Sequence, residues 1–157
     1  MSVDWGVIPS QPDNPGFQEW FRDAGLDIPS STGRYPTFDE FMKVLKSFSD
    51  NKIKIDQIND NLYEIIFGEV SSSDFAQILG SNQEDGLFHF QFLGYSTKEI
   101  TMLKILRKTS NVCGPIALYE SHNATPVLVD ESTDIEEALM DWKIRYKNRH
   151  PVEGNDT

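Results

Sequence analysis

Residues 86–95 read GLFHFQFLGY, and this stretch decides how the chain is expected to fold. Successive side chains of an extended chain point to opposite faces, so every second residue shares a side. One side of this stretch carries three aromatic rings: Phe88, Phe90 and Phe92. The other side carries His89 and Gln91. The pattern predicts a β-strand with one buried phenylalanine face and one polar face.

Around this strand, the hydrophobic pattern alternates between helices and hairpins. Apolar residues at helical spacing predict helices within residues 17–21, 37–48, 96–106 and 133–146. Alternating β-branched and aromatic residues with polar turns predict hairpins over residues 53–70 and 116–129. Residues 71–79 are also predicted to form a short helix, because Phe75, Ile78 and Leu79 would share one face and Gly80 could end it.

Three of the predicted helices begin with the sequence pattern of a capping box, in which Ser or Thr is followed three residues later by Glu. The pairs are Thr37 with Glu40, Ser96 with Glu99, and Thr133 with Glu136. Each pair can satisfy backbone N–H groups in a helix's first turn. We therefore expect these helices to start at well-defined positions.

These elements indicate an α+β fold: a mainly antiparallel sheet of four or five strands with the helices packed on one face. Residues 1–157 are expected to form a single domain. Residues 1–36 hold five of the eight prolines and are interpreted as an extended N-terminal arm with a short helix. Residues 37–150 would form the α+β body, and residues 151–157 a frayed tail.

The composition predicts a soluble, cytoplasmic protein with an acidic surface. Asp and Glu number 25 against 14 Lys and Arg, which gives a net charge of −11. This charge opposes binding to nucleic acid or to an anionic membrane and favours a basic partner protein. The single cysteine cannot form an intramolecular disulfide, and the longest apolar stretches fall short of the roughly 20 residues of a membrane-spanning helix.

The polar face of the predicted central strand is one candidate ligand-binding surface. Glu64 could lie on a neighbouring strand beside His89 and Gln91, and Cys113 could lie at the edge of this patch. The simpler interpretation is an ordinary half-solvated sheet face. Cys113 by itself is better explained as a small buried residue at a turn, since free cysteine is among the most buried residue types.

No catalytic, metal-binding or cofactor-binding motif is present in the sequence. The chain lacks H-E-x-x-H and C-x-x-C patterns, an EF-hand loop, glycine-rich phosphate loops and a G-x-S-x-G elbow. We therefore predict no metal, no cofactor and no catalytic residue. An enzymatic role is left open, although a non-enzymatic one is favoured.

Paired acids form a second candidate surface, for a protein partner. Glu84 with Asp85 and Asp130 with Glu131 are expected in exposed turns. The C-terminal end is locally basic, with Lys143, Arg145, Lys147, Arg149 and His150. Cations at the end of a helix suit its dipole, and a phosphate-binding tail is the alternative.

Three functional hypotheses remain open from the sequence. The first is an acidic protein-interaction module that neutralises a basic partner, as small immunity proteins do with nuclease toxins. The second is a small-molecule binding or catalytic domain that uses the polar face around His89. The third is a subunit of a homo-oligomer or larger assembly, in which Trp5 and Trp20 would bury against a partner chain.

Overall fold

The computed structural model describes residues 4–48, 51–122 and 124–149, without the side chains of residues 148 and 149. Its elements, in chain order, are β1 (Asp4–Pro9), α1 (Pro15–Asp23), α2 (Phe38–Lys46), β2 (Ile53–Gln57), β3 (Leu62–Phe67), β4 (Ala76–Asn82), β5 (Phe88–Leu93), α3 (Glu99–Cys113), β6 (Ile116–Glu120), β7 (Pro126–Val129) and α4 (Ile135–Arg149). The predicted α+β class with an antiparallel sheet is confirmed. The described part of the chain contains seven strands, so the predicted number of four or five is wrong. The predicted frayed tail, 151–157, lies outside the described residues.

The strands form one sheet in the order β2-β3-β4-β5-β1-β6-β7, and every neighbouring pair is antiparallel. β1 therefore lies inside the sheet, between β5 and β6. Within the segment interpreted as an N-terminal arm, residues 4–9 are thus a strand of the sheet. Its sequence, DWGVIP, is short and carries Gly and Pro, so by sequence alone it resembles a turn-rich connection. Only its pairing with β5 and β6 identifies it as a strand.

β4 occupies the segment predicted to be a helix. Ile78 is buried on one face of the sheet and Leu79 is half-buried on the other, so the two residues do not share a side. β4 is bonded along its length to both β3 and β5. Pairing on both sides supplies its backbone hydrogen bonds, and this outweighs a helical spacing of only three apolar residues.

The main core lies between one face of the sheet and the helices α2, α3 and α4. The predicted phenylalanine face of β5 is confirmed, because Phe88 and Phe92 are fully buried and Phe90 is 4% exposed. Phe41 of α2 packs against Phe90 with ring centroids 4.3 Å apart. Each such aromatic side chain removes roughly 150–250 Å² from water, so this face dominates the packing.

α1 packs on the opposite face of the sheet, so the expectation that all helices share one face holds for three of the four described helices. Phe17 and Phe21 of α1 form a separate apolar cluster with Ala117. Trp20 packs against that cluster and donates a hydrogen bond to the carbonyl of Ala124. Trp5 belongs to the main core and is 6% exposed. Trp5 is thus packed within the chain, and Trp20 is half-buried there; their predicted packing against a partner stays a prediction.

Only one of the three predicted capping boxes forms. The Thr37 hydroxyl accepts from the N–H of Glu40 at 3.1 Å, and the Glu40 carboxylate accepts from the N–H of Thr37 at 2.8 Å. α3 instead begins at Glu99 after Lys98, with no side-chain cap. At α4 the cap is Asp134, whose carboxylate accepts from the N–H of Glu137 at 2.9 Å.

Candidate ligand groove and acidic end of the sheet

A groove of about 320 Å³ lies on the sheet face remote from α2, α3 and α4. α1 covers this face over β1, β6 and β7, and the neighbouring part over β4 and β5 is only half-buried. The groove is lined by Gly6, Val7, Ile8, Tyr35, Leu62, Leu79, Gly80, Ser81, His89, Phe90, Gln91 and Tyr119. This volume is at the lower end of the range for small-molecule sites.

The groove forms because β1 and β5 pair over only part of their length. The register joins Asp4 to Leu93 and Trp5 to Phe92. At the start of β5, the N–H of Phe88 instead donates to the carbonyl of Pro36 at 2.7 Å. The segment before α2 therefore occupies part of the space beside β5 that β1 would otherwise fill.

Tyr35 spans this separation between the two strands. Its hydroxyl donates to the carbonyl of Val7 in β1 at 2.6 Å, and its ring stacks on His89 of β5 with centroids 3.9 Å apart and an interplanar angle of 22°. Burial raises the pKa of Tyr35 to about 12. The hydroxyl therefore stays protonated near neutral pH and continues to donate. Tyr35 fixes one side of the His89 ring.

The opposite wall of the groove is Tyr119 of β6, which pairs with Gly6 in the register. A Cβ atom on Gly6 would overlap the Tyr119 ring, so the absence of a side chain at position 6 lets this ring lie across β1. Trp20 meets the same ring edge-on with centroids 5.3 Å apart. The wall is therefore braced by α1.

The structure brings two of the four predicted ligand-binding residues together. His89 and Gln91 both line the groove. Glu64 lies on the same face two strands away from Gln91, through Leu79, and its carboxylate accepts a hydrogen bond from Gln77 at 2.7 Å. It does not line the groove, although it lies close to it. This leaves the groove with imidazole, amide and hydroxyl groups rather than a carboxylate.

Cys113 lies apart from the groove, in the core on the opposite face of the sheet. It ends α3 and is 4% exposed. Burial raises the pKa of its thiol to about 11. The thiol is therefore protonated near neutral pH and has no route to a ligand in the groove.

Sequence reasoning missed the two tyrosines of the groove. Tyr35 was placed in the arm and Tyr119 in a hairpin, and neither lies near His89 in the chain. Gly6 is the only local signal of this arrangement, since a glycine inside a strand marks close approach of another group. The meaning of Gly6 can be recognised only once Tyr119 is known to be the cross-strand partner of Gly6.

The four acids predicted to bind a partner all lie at one end of the sheet. β2, β4 and β7 finish at this end, and β3, β5 and β6 begin there. Glu84 and Asp85 form the turn between β4 and β5, and Asp130 and Glu131 follow β7. We call this end of the sheet the acidic end. Asp130 and Glu131 are separated from the β4–β5 turn by β1 and β6, so the acids form two groups along one edge.

The four acids differ in whether their carboxylates already accept hydrogen bonds within the chain. Asp85 accepts a hydrogen bond from the N–H of Leu87 at 3.0 Å. Asp130 accepts from the hydroxyl of Ser132 at 2.7 Å, and this bond lowers the pKa of Asp130. Within the described part of the chain, Glu84 and Glu131 are exposed and have no hydrogen-bond or ion-pair partner. Two of the four thus shape their own turns, and two are available.

Further acids that the sequence did not single out lie at the same end. These are Asp56 and Asp60 of the β2–β3 hairpin, together with Asp134, Glu136 and Glu137 at the start of α4. The opposite end of the sheet receives the basic last turn of α2, with Lys43 and Lys46. α4 also runs toward that end, where Lys143 lies 4.0 Å from Glu99. That end also carries acids, among them Glu69, Asp74 and Glu120, so acids predominate at the acidic end and both charge signs occur at the other.

The described residues contain neither a cluster of three or more metal-type ligands nor a helix of the length and apolar character needed to cross a membrane.

The chain matches no protein-family model, and comparisons with curated proteins and with solved structures found no match either.

Proposed function

We propose that the chain is an acidic protein-interaction module that binds a basic partner through the acidic end. The observation that carries this proposal is the gathering of acids from three connections of the fold, β2–β3, β4–β5 and β7–α4, at one end of the sheet. An immunity-type inhibitor, which covers a cationic surface of a basic protein, would act in this way.

The physical basis is long-range attraction followed by local pairing. A surface of one charge sign accelerates encounter with an oppositely charged partner and orients it. Glu84 and Glu131 supply carboxylates that are not already engaged by neighbours. Asp85 and Asp130 hold the turns that present them. The partner's affinity should therefore fall with salt, since exposed charge pairs are screened.

The test is capture of partners from the native host with three tagged proteins. They are the wild type, the double variant Glu84→Gln/Glu131→Gln, and the control Glu19→Gln/Asp23→Asn, which removes two exposed acids from α1 instead. We expect a stoichiometric basic protein with the wild type and the control, and its loss from the double variant and at high salt. Equal capture by all three proteins, or a wild type that emerges alone, would count against the proposal.

The groove supports a second candidate function, binding of a small ligand. His89 and Gln91 present an imidazole and an amide beside the Ser81 hydroxyl, against the apolar wall of Leu79. A compact, ring-containing molecule with hydrogen-bonding groups fits this lining. His89 is stacked on Tyr35 and Glu64 is held by Gln77, so this candidate is a binding site rather than a catalytic pair.

A fragment library of imidazoles and aromatic amides tests this candidate by ligand-observed NMR. Binding that weakens at least tenfold in Gln91→Ala and persists in Gln57→Ala, an exposed glutamine outside the groove, would support the groove. Fragments that bind Gln91→Ala as tightly as the wild type, or the absence of any binding at millimolar concentration, would rule out this candidate.

A further inference from the structure

The two edge strands of the sheet differ in how they are protected. At β7, Trp142 and Arg145 of α4 donate hydrogen bonds to the carbonyls of Thr125 and Pro126, at 2.8 and 3.0 Å. At β2, four of the five residues are exposed. An open edge presents unpaired backbone groups to any other strand. The β2 edge is therefore the side on which the sheet can grow.

The bonding pattern identifies which backbone groups of β2 are unpaired. The carbonyl of Lys52 accepts from Gly68, and the N–H of Ile58 donates to Leu62, each at 2.8 Å. Bonded and non-bonded pairs alternate along an antiparallel ladder. The even-numbered residues therefore face β3. The N–H and C=O groups of Ile53, Ile55 and Gln57 point outward.

We propose that β2 pairs antiparallel with β2 of a second copy of this chain, on a two-fold axis at Ile55. In this register Ile55 faces Ile55 of the second copy, and Ile53 faces its Gln57. Both are pairs of outward-facing residues, so each exchanges two backbone hydrogen bonds. The two seven-stranded sheets would join into one.

The side-chain charges select this register. Lys54 and Asp56 lie on the same face of β2, with Nζ and Oδ2 3.9 Å apart. Across the axis, Lys54 faces Asp56 of the second copy, and Asp56 faces its Lys54. These are non-hydrogen-bonded pairs, in which side chains approach most closely. Parallel pairing in register would instead place like charges opposite each other.

The same arrangement covers two exposed apolar side chains of the hairpin. Ile55 is 42% exposed and Ile58 is 55% exposed. Ile55 would pack against its own copy, and Ile58 would lie opposite the aliphatic stem of Lys52. A five-residue edge is short, so we expect less than the roughly 1,200 Å² of a standard interface and a dimer that dissociates on dilution.

The experiment uses charge exchange in the full chain and sedimentation equilibrium over a range of concentrations. The wild type should approach twice its mass of 17.9 kDa at high concentration. Lys54→Asp and Asp56→Lys, studied separately, each place like charges across the axis and should weaken the dimer at least tenfold. A mixture of the two variants restores opposite charges at both pairs and should form heterodimers.

The control Val70→Asp changes an exposed residue outside β2 and should dimerise as the wild type does. Circular dichroism establishes that each variant is folded. The proposal is overturned if the wild type stays monomeric at all concentrations. It is also overturned if the two variants dimerise as the wild type does, or if their mixture shows no gain in mass over the separate samples.

Discussion

The Tyr35 ring stacks on His89 at a centroid distance of 3.9 Å while its hydroxyl donates to the carbonyl of Val7 at 2.6 Å. One side chain from the segment before α2 thus touches both strands that flank the groove. Its burial is what raises the pKa of the Tyr35 phenol. Deprotonation of this phenol at alkaline pH should therefore destabilise the folded chain.

Tyr35→Phe is expected to lower the free energy of unfolding by about 1 kcal/mol at neutral pH, because it removes the bond to Val7. The pKa of Tyr35 rises from an ordinary 10.0 to about 12 on folding, so its contribution is present below pH 10 and lost as the pH rises toward 12. The difference in free energy of unfolding between wild type and variant, measured by urea titration, should therefore narrow between pH 10 and pH 12. Tyr95→Phe, at a residue 68% exposed, should show no such gap.

The Arg34–Glu40 pair stabilises the fold at neutral pH and makes its stability depend on pH in the acidic range. The hydrogen bonds from Arg34, at 2.8 and 3.0 Å, and the bond from Thr37 lower the pKa of Glu40 from 4.5 to about 2. The stabilisation is therefore present above pH 4.5 and lost as the pH falls toward 2. Glu40→Gln should cost about 1 kcal/mol at pH 7, with a smaller cost at pH 3.

Arg34→Gln provides the control for this pair. If the two side chains act together, the double variant should lose less stability at pH 7 than the two single losses combined. A Glu40→Gln cost that does not change with pH, or strict additivity, would contradict the assignment.

The position of β1 inside the sheet is tested by one substitution made at two valines. Val7→Asp places a carboxylate in the core at a residue 4% exposed, and should cost at least about 3 kcal/mol. Val70→Asp makes the same change at a residue 62% exposed, and should stay within about 0.5 kcal/mol. Guanidinium unfolding measures both. Similar costs would mean that residues 4–9 lie on the surface.

The Cys113 thiol should react slowly in the folded protein. It is buried, and its pKa of about 11 leaves little thiolate at pH 7.5. We expect a disulfide reagent to label native protein at least a hundredfold more slowly than urea-unfolded protein. The chain has one cysteine, so the signal reports a single site. Labelling at the rate of an exposed thiol would place Cys113 at the surface.

Local patterns were sufficient where neighbouring residues decide the outcome. The alternation along residues 86–95 predicted a strand with His89 and Gln91 on the face opposite the phenylalanines. Thr37 and Glu40 predicted a helix start. The two hairpins followed from alternating residues between turns. In each case the interacting groups lie within a few residues of one another, so periodicity and side-chain chemistry are enough.

The cap predictions at Ser96 and Thr133 show the limit of such patterns. A Glu three residues after Ser or Thr allows a capping box, but the pattern alone does not fix the residue at which the helix starts. α3 begins at Glu99 itself, and Asp134 caps α4. Two adjacent polar residues can compete for the same role with little difference in free energy.

The sequence by itself determined an α+β chain with an antiparallel sheet, a buried phenylalanine face and an acidic surface. The tertiary structure decided that residues 4–9 lie inside the sheet, that residues 76–82 form a strand, and that Tyr35 and Tyr119 wall the groove. The physical reason is that β1 and β4 gain their hydrogen bonds from strands elsewhere in the chain. Side-chain periodicity reports which face of an element is buried, and only the assembled sheet shows which strand lies beside it.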